Sequence, residues 1–132
     1  MTSLNRSLSP RIQNLKKPDI LKAKSICFSN GLNVYSINGE TEGIVRIEWL
    51  FHAGTSLNNK PLVANATNFL LKEGSLSFSS YEINKKLDFY GASLSMGINT
   101  KFASLTLYCL NKYLDQVLPI IKDFISNPIF IR

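Results

Sequence analysis

Residues 62–71 of this 132-residue chain read LVANATNFLL. The apolar residues recur at i, i+4, i+7 and i+8, and they are Leu62, Ala66, Phe69 and Leu70. This is the spacing of one face of an α-helix, so the pattern predicts a helix with that face buried in a core. The polar residues Asn65 and Asn68 lie within it, and the Glu73-Gly74-Ser75 sequence that follows is typical of a helix end.

Three other segments alternate apolar and polar side chains, which is the period of a strand with one face on a core. The apolar residues are Val45, Ile47, Trp49 and Phe51 in the first, Leu94, Met96 and Ile98 in the second, and Leu105, Leu107 and Cys109 in the third. With the segments around them, we expect four to six antiparallel strands.

Two more segments predict helices. Ser79 and Glu82 form a capping box, which opens a helix that ends before Gly91. Its buried residues are expected to be Ile83, Leu87 and Tyr90. The last helix, with Pro119 as the site of a kink, is expected to bury Leu114, Val117, Leu118, Ile121, Phe124 and Ile125. Helices that follow and separate hairpin-forming strands predict an α+β fold, with an antiparallel sheet and helices packed on one face.

The order of these segments resembles the insulinase (pitrilysin) family of zinc metallopeptidases. The stretches that carry the resemblance are SNGLNVY (29–35), WLFHAGT (49–55), the helix at 62–71, YEINKKL (81–87), GASL (91–94) and NPIF (127–130). The resemblance implies that residues 1–22 are an N-terminal extension, extended or disordered. It also implies that residues 23–132 are the amino-terminal part of a first insulinase-like domain, truncated at the C-terminus.

The helix at 62–71 corresponds to the helix that carries the family's His-x-x-Glu-His motif. By this resemblance, Asn65 and Phe69 stand where two zinc-binding histidines would be, and Asn68 stands where the general base would be. Two ligands at i and i+4 lie one turn apart and share one metal ion. Amides are weak zinc ligands and cannot act as a base, and the Phe69 ring is expected to fill the space of the metal. We therefore expect no catalytic residue, no metal and no cofactor in this chain.

The resemblance implies that this chain functions as one subunit of a pair. We expect a catalytically inactive subunit that forms a peptide-binding chamber with a zinc-bearing homologue, which holds the zinc, while peptide substrate binds as an added strand. One alternative is a structural core-type subunit of a larger complex, and another is an active zinc peptidase with unconventional ligands. His52, the single histidine, and Glu48 are candidate ligands for the latter, although a lone strand histidine is more often structural.

The net charge of +6 makes nucleic acid a partner to consider. Much of the excess positive charge lies in the first 24 residues, and no alternation of aromatic and basic residues follows it. We therefore expect a solvated basic arm that does not bind nucleic acid. No span reaches the roughly 20 apolar residues of a membrane helix, so we expect no membrane insertion. The expected compartment is the cytoplasm. The mitochondrial matrix is an alternative because of the arginines and serines before Asp19, and the periplasm stays open.

Overall fold

The computed structural model describes residues 17–18, 20–39 and 43–130. The chain divides into two units by its internal contacts, residues 1–40 and 41–132, and each is described by itself. Residues 1–16 and Asp19, which make up most of the predicted N-terminal extension, lie outside the described residues. The boundary expected at residue 22 therefore stays a prediction.

A β-hairpin is the main element of the first unit. Strand β1 (Lys24–Cys27) pairs antiparallel with β2 (Asn33–Ser36). In the turn, the backbone N–H of Phe28 donates to the carbonyl of Leu32 at 2.9 Å. Gly31 has a φ of +83°, a left-handed conformation that costs glycine little. Residues 29–35, one of the stretches that carry the resemblance, form the turn of this hairpin and most of β2.

A three-stranded antiparallel sheet organises the second unit. Its strands are β3 (Ile44–Phe51), β4 (Ser93–Ile98) and β5 (Ala103–Leu110), in the order β3-β5-β4. Leu107 of the central strand lies opposite Ile47 on one side and Leu94 on the other, so the apolar residues of all three strands share one face. The three strands predicted from alternation are confirmed.

In the described residues of this unit, three α-helices accompany the sheet: α1 (Val63–Leu70), α2 (Ser80–Phe89) and α3 (Leu114–Ser126). The predicted capping box is present, because the backbone N–H of Ser79 donates to Glu82 Oε2 at 2.9 Å and that of Glu82 donates to Ser79 Oγ at 3.4 Å. The hydrogen bond from the Ser79 backbone is the main reason that the pKa of Glu82 lies below its ordinary value.

The core lies between the apolar sheet face and helices α2 and α3. Its most buried residues are Ile83, Leu87, Leu105, Leu107, Cys109, Val117, Ile120, Ile121 and Phe124. Val45, Trp49, Leu94 and Met96 pack against them from the sheet. The other sheet face carries polar side chains such as Arg46, Glu48 and Ser95. The α+β fold with helices on one face is therefore confirmed.

The segment that leads from β3 toward α1 is held by main-chain hydrogen bonds. Three consecutive N–H groups, of Gly54, Thr55 and Ser56, donate to the carbonyls of Lys101, Asn99 and Thr100 at 3.0 to 3.1 Å. Gly54 is buried, and a Cβ atom there would overlap the backbone of Thr100 and Lys101. Only glycine permits this close approach of two backbones without displacing one of them.

Asp123 connects α3 to the segment that follows α1. The Ser77 hydroxyl donates to Asp123 Oδ1 at 3.1 Å, and the Asn127 amide donates to the same atom at 3.3 Å. The pKa of Asp123 lies below its ordinary value, chiefly because the Ser75 hydroxyl and then these two groups favour the charged carboxylate, although burial acts in the opposite direction. The carboxylate therefore stabilises this junction in its ionised form.

Candidate functional site

Helix α1 contacts strand β4 with a different side from the one predicted. Ala64 is buried, and Asn68 and Leu71, which follow it at i+4 and i+7, are half-buried. The predicted face is exposed, at Leu62, Ala66, Phe69 and Leu70. The predicted burial of that face is wrong, because α1 has apolar residues on both sides and periodicity alone does not tell which side packs.

Asn68 is the polar residue on the packed side of α1. Its side-chain amide nitrogen donates to the backbone carbonyl of Gly97 on β4 at 2.8 Å. An ionised carboxylate has no proton to donate. Asn68 therefore holds α1 to the sheet with a bond that requires the amide.

Asn65 and Phe69 lie on exposed parts of α1. The Phe69 side chain is 68% exposed. The expectation that its ring fills the space of a metal stays a prediction. Asn65 and Phe69 lie one turn apart on α1, with Asn68 beside them, but only Asn68 is half-buried and bonded to β4. Their correspondence to a metal site stays a prediction.

A cavity of about 310 Å³ lies beside α1, bounded by the end of β3, the start of β5 and α3. Its lining is mostly apolar and includes Val63, Leu105 and Ile125, with Asn58 and Thr67 among its polar side chains. No charged residue lines it. Sequence reasoning missed Asn58 and Thr67, because tertiary contacts bring them together and no local pattern marks them.

Solved structures share this architecture. A superposition that covers 84% of this chain matches the peptidase M16 inactive domain from Pseudomonas fluorescens, with a TM-score of 0.79 and 23% identity. The chain has the fold of an M16 peptidase domain. A protease from Helicobacter pylori also matches, over 86% of this chain, with a TM-score of 0.76 and 16% identity. No family model and no curated protein matches the sequence.

The M16 fold agrees with the resemblance to the insulinase family that the sequence suggests. The chain spans 28% of the length of each of the two solved chains, so the likeness concerns one part of a larger architecture. Among the described residues, no helix is long and apolar enough to cross a membrane. The expected compartment stays a prediction.

Zinc, which the M16 fold implies, does not fit the residues of α1. The amide of Asn68 is already bonded to Gly97. The alternative ligands do not converge either, because the His52 ring packs on Phe102 with 4.7 Å between ring centroids and Glu48 accepts from Arg46 at 2.8 Å. Within the described part of the chain, no three His, Cys, Asp or Glu residues form a group that could hold a metal ion. Zinc binding by a partner stays a prediction.

Proposed function

We propose that this chain is a catalytically inactive M16-fold subunit that forms part of the wall of a peptide-binding chamber, beside a zinc-bearing homologue that hydrolyses the peptide. One observation carries the proposal: the residue at the expected position of the general base, Asn68, is a hydrogen-bond donor to Gly97. The fold shared with an inactive M16 domain from Pseudomonas fluorescens supports it.

The chemistry of hydrolysis gives the physical reason. A zinc peptidase needs metal ligands one helical turn apart and a carboxylate that takes a proton from the metal-bound water. In α1 the corresponding residues are an exposed amide, an exposed ring and an amide that is bonded to β4. This helix therefore contributes packing, and catalysis must come from the partner.

Peptide binding has a simple basis in the sheet. In the described part of the second unit, β3 and β4 are the outer strands. An outer strand offers main-chain donors and acceptors along its free edge, and an extended peptide pairs with them. Such pairing tolerates many peptide sequences, as expected of a chamber wall.

The test is reconstitution. This chain is co-purified with a zinc-bearing M16 homologue from the same cells, and mass is measured by light scattering, metal by elemental analysis and hydrolysis with a quenched fluorescent peptide. The expected result is a one-to-one complex with zinc in the homologue and more activity than the homologue shows alone. The proposal is wrong if no complex forms, and stoichiometric zinc in this chain alone would favour the unconventional peptidase.

A further inference from the structure

The turn of the β1–β2 hairpin contains an asparagine followed by a glycine, Asn30-Gly31, and both residues are exposed. Two hydrogen bonds fix the geometry of this pair. The backbone N–H of Leu32 donates to Asn30 Oδ1 at 3.0 Å, and the N–H of Gly31 donates to the carbonyl of Phe28 at 2.9 Å. The side chain of Asn30 is therefore folded back along the main chain that contains the Gly31 nitrogen, as in an Asx turn.

Asn30 Cγ and the Gly31 nitrogen form a reactive pair. Cγ is an amide carbon that carries Nδ2 as a leaving group, and a backbone nitrogen attacks such a carbon once it gives up its proton. Glycine has no Cβ, so no side chain of residue 31 shields its nitrogen. The turn therefore presents an unhindered nucleophile directly after the amide that it can attack.

We propose that Asn30 is a site of spontaneous deamidation, controlled by the opening of the Gly31–Phe28 hydrogen bond. The Gly31 nitrogen bonds to Asn30 Cγ, the Cγ–Nδ2 bond breaks, and Nδ2 leaves as ammonia with the proton that Gly31 gives up. Water then opens the cyclic imide. Attack of water at Cγ gives aspartate, and attack at the main-chain carbonyl carbon gives isoaspartate, in which the main chain passes through Cβ and Cγ. The net reaction consumes water, releases ammonia and involves no oxidation.

The hydrogen bond between Gly31 and Phe28 opposes the reaction, because the attacking nitrogen must lose the proton that it donates to the carbonyl. One hydrogen bond of ordinary strength corresponds to about a fivefold factor in rate. The paired strands β1 and β2 have only four residues each, and all of them are exposed. Two-stranded hairpins are marginally stable by themselves. We therefore expect the turn to open often enough for the reaction to proceed in the native protein.

The two products differ in their effect on the hairpin. Aspartate keeps a side-chain oxygen that accepts from the N–H of Leu32, so the turn is retained. Isoaspartate lengthens the main chain inside the turn, and the length of the loop fixes the register of a hairpin. Formation of isoaspartate is therefore expected to weaken the pairing of Ile26 with Val34.

Incubation of the purified chain at neutral pH, in native buffer and in guanidinium chloride, tests the site. Peptide mapping by tandem mass spectrometry follows each asparagine, and fragment ions separate Asn30 from Asn38, which also precedes a glycine. Conversion of Asn30 is expected in both solutions, about fivefold more slowly in native buffer. Asn33 is the internal control and should stay intact, because the branched side chain of Val34 hinders the equivalent attack. An Asn30 that stays unmodified overturns the proposal.

Substitutions in β2 test whether opening of the hairpin controls the reaction. Val34→Pro is expected to raise the rate in native buffer to that of the unfolded chain, because proline interrupts a strand and its pairing with Ile26. The matched control is Val34→Thr, which keeps the main-chain donor and a β-branched side chain and should leave the rate unchanged. Equal native rates for the two variants would refute control by opening. The reaction needs no zinc and no partner, so its outcome is independent of the zinc-bearing homologue.

Discussion

The side-chain amide of Asn68 donates to the backbone carbonyl of Gly97 at 2.8 Å, which joins α1 to the outer strand β4. The two residues are 29 positions apart in the sequence. The bond gives Asn68 a structural role that is incompatible with a carboxylate, and it leads to a direct test.

Asn68→Asp is predicted to lower the free energy of unfolding by about 1–3 kcal/mol, because the variant loses the donor and sets a carboxylate against a carbonyl. Urea denaturation measures the change. The matched control is Asn65→Asp on the exposed part of the same helix, which is expected to stay within about 0.5 kcal/mol of the wild type. Equal losses for the two variants would show that the Gly97 bond contributes nothing.

Low pH is predicted to reduce the folding stability of the protein, partly because Asp123 becomes protonated. Since the folded-state pKa of Asp123 is lowered, its contribution is complete above the unfolded-state pKa of about 3.9 and is lost as pH falls through the folded-state pKa. The stability difference between wild type and Asp123→Asn should therefore shrink below about pH 4. Urea midpoints at a series of pH values measure it. Ser77→Ala removes the hydroxyl that donates to Asp123 Oδ1 at 3.1 Å and should reduce the pH dependence. A difference that is constant with pH would contradict the assignment.

Leu107→Ala is predicted to cost about 2–5 kcal/mol of folding free energy, because the side chain lies in the centre of the core and its removal leaves a cavity. Leu50→Ala removes the same atoms from β3, where Leu50 is 62% exposed, and should change stability by about 0.5 kcal/mol or less. Thermal and urea unfolding of both variants measure this contrast. Similar losses would mean that the core is placed incorrectly.

The two cysteines are predicted to differ in reactivity. Cys27 is exposed in β1. Cys109 is buried in β5, and desolvation raises the pKa of its thiol. A thiol reagent should therefore label one cysteine in the native protein and two after denaturation, and Cys27→Ser should abolish the native reaction. Labelling of both cysteines in the folded protein would contradict the burial of Cys109.

The sequence predicted the elements whose signals are local. The capping box of Ser79 and Glu82 involves neighbouring residues, and the alternation in β3, β4 and β5 reports directly on one buried sheet face. The buried side of the final helix was also predicted from a local pattern, and Val117, Ile121 and Phe124 are buried as expected. Ile120, which was not expected, is buried as well.

The candidate site was harder to predict, because it depends on contacts between distant residues. Periodicity favoured the Leu62 and Phe69 side of α1, but the side that packs carries Ala64 and Asn68. A polar residue at i+4 from a small one is a poor signal of burial, and the partner that explains it, Gly97, is on another strand. The cavity beside Val63 depends on α1, β5 and α3 together, so no single segment encodes it.

The backbone contact between residues 54–56 and the turn at 99–101 has a consequence for which positions of α1 can be substituted. The approach to α1 is fixed by peptide groups, which every sequence possesses, with glycine required at Gly54. The exposed positions Asn65 and Phe69 lie outside this anchor. A helix held in this way can change the side chains on its exposed surface while the domain keeps its shape, because its position does not depend on them.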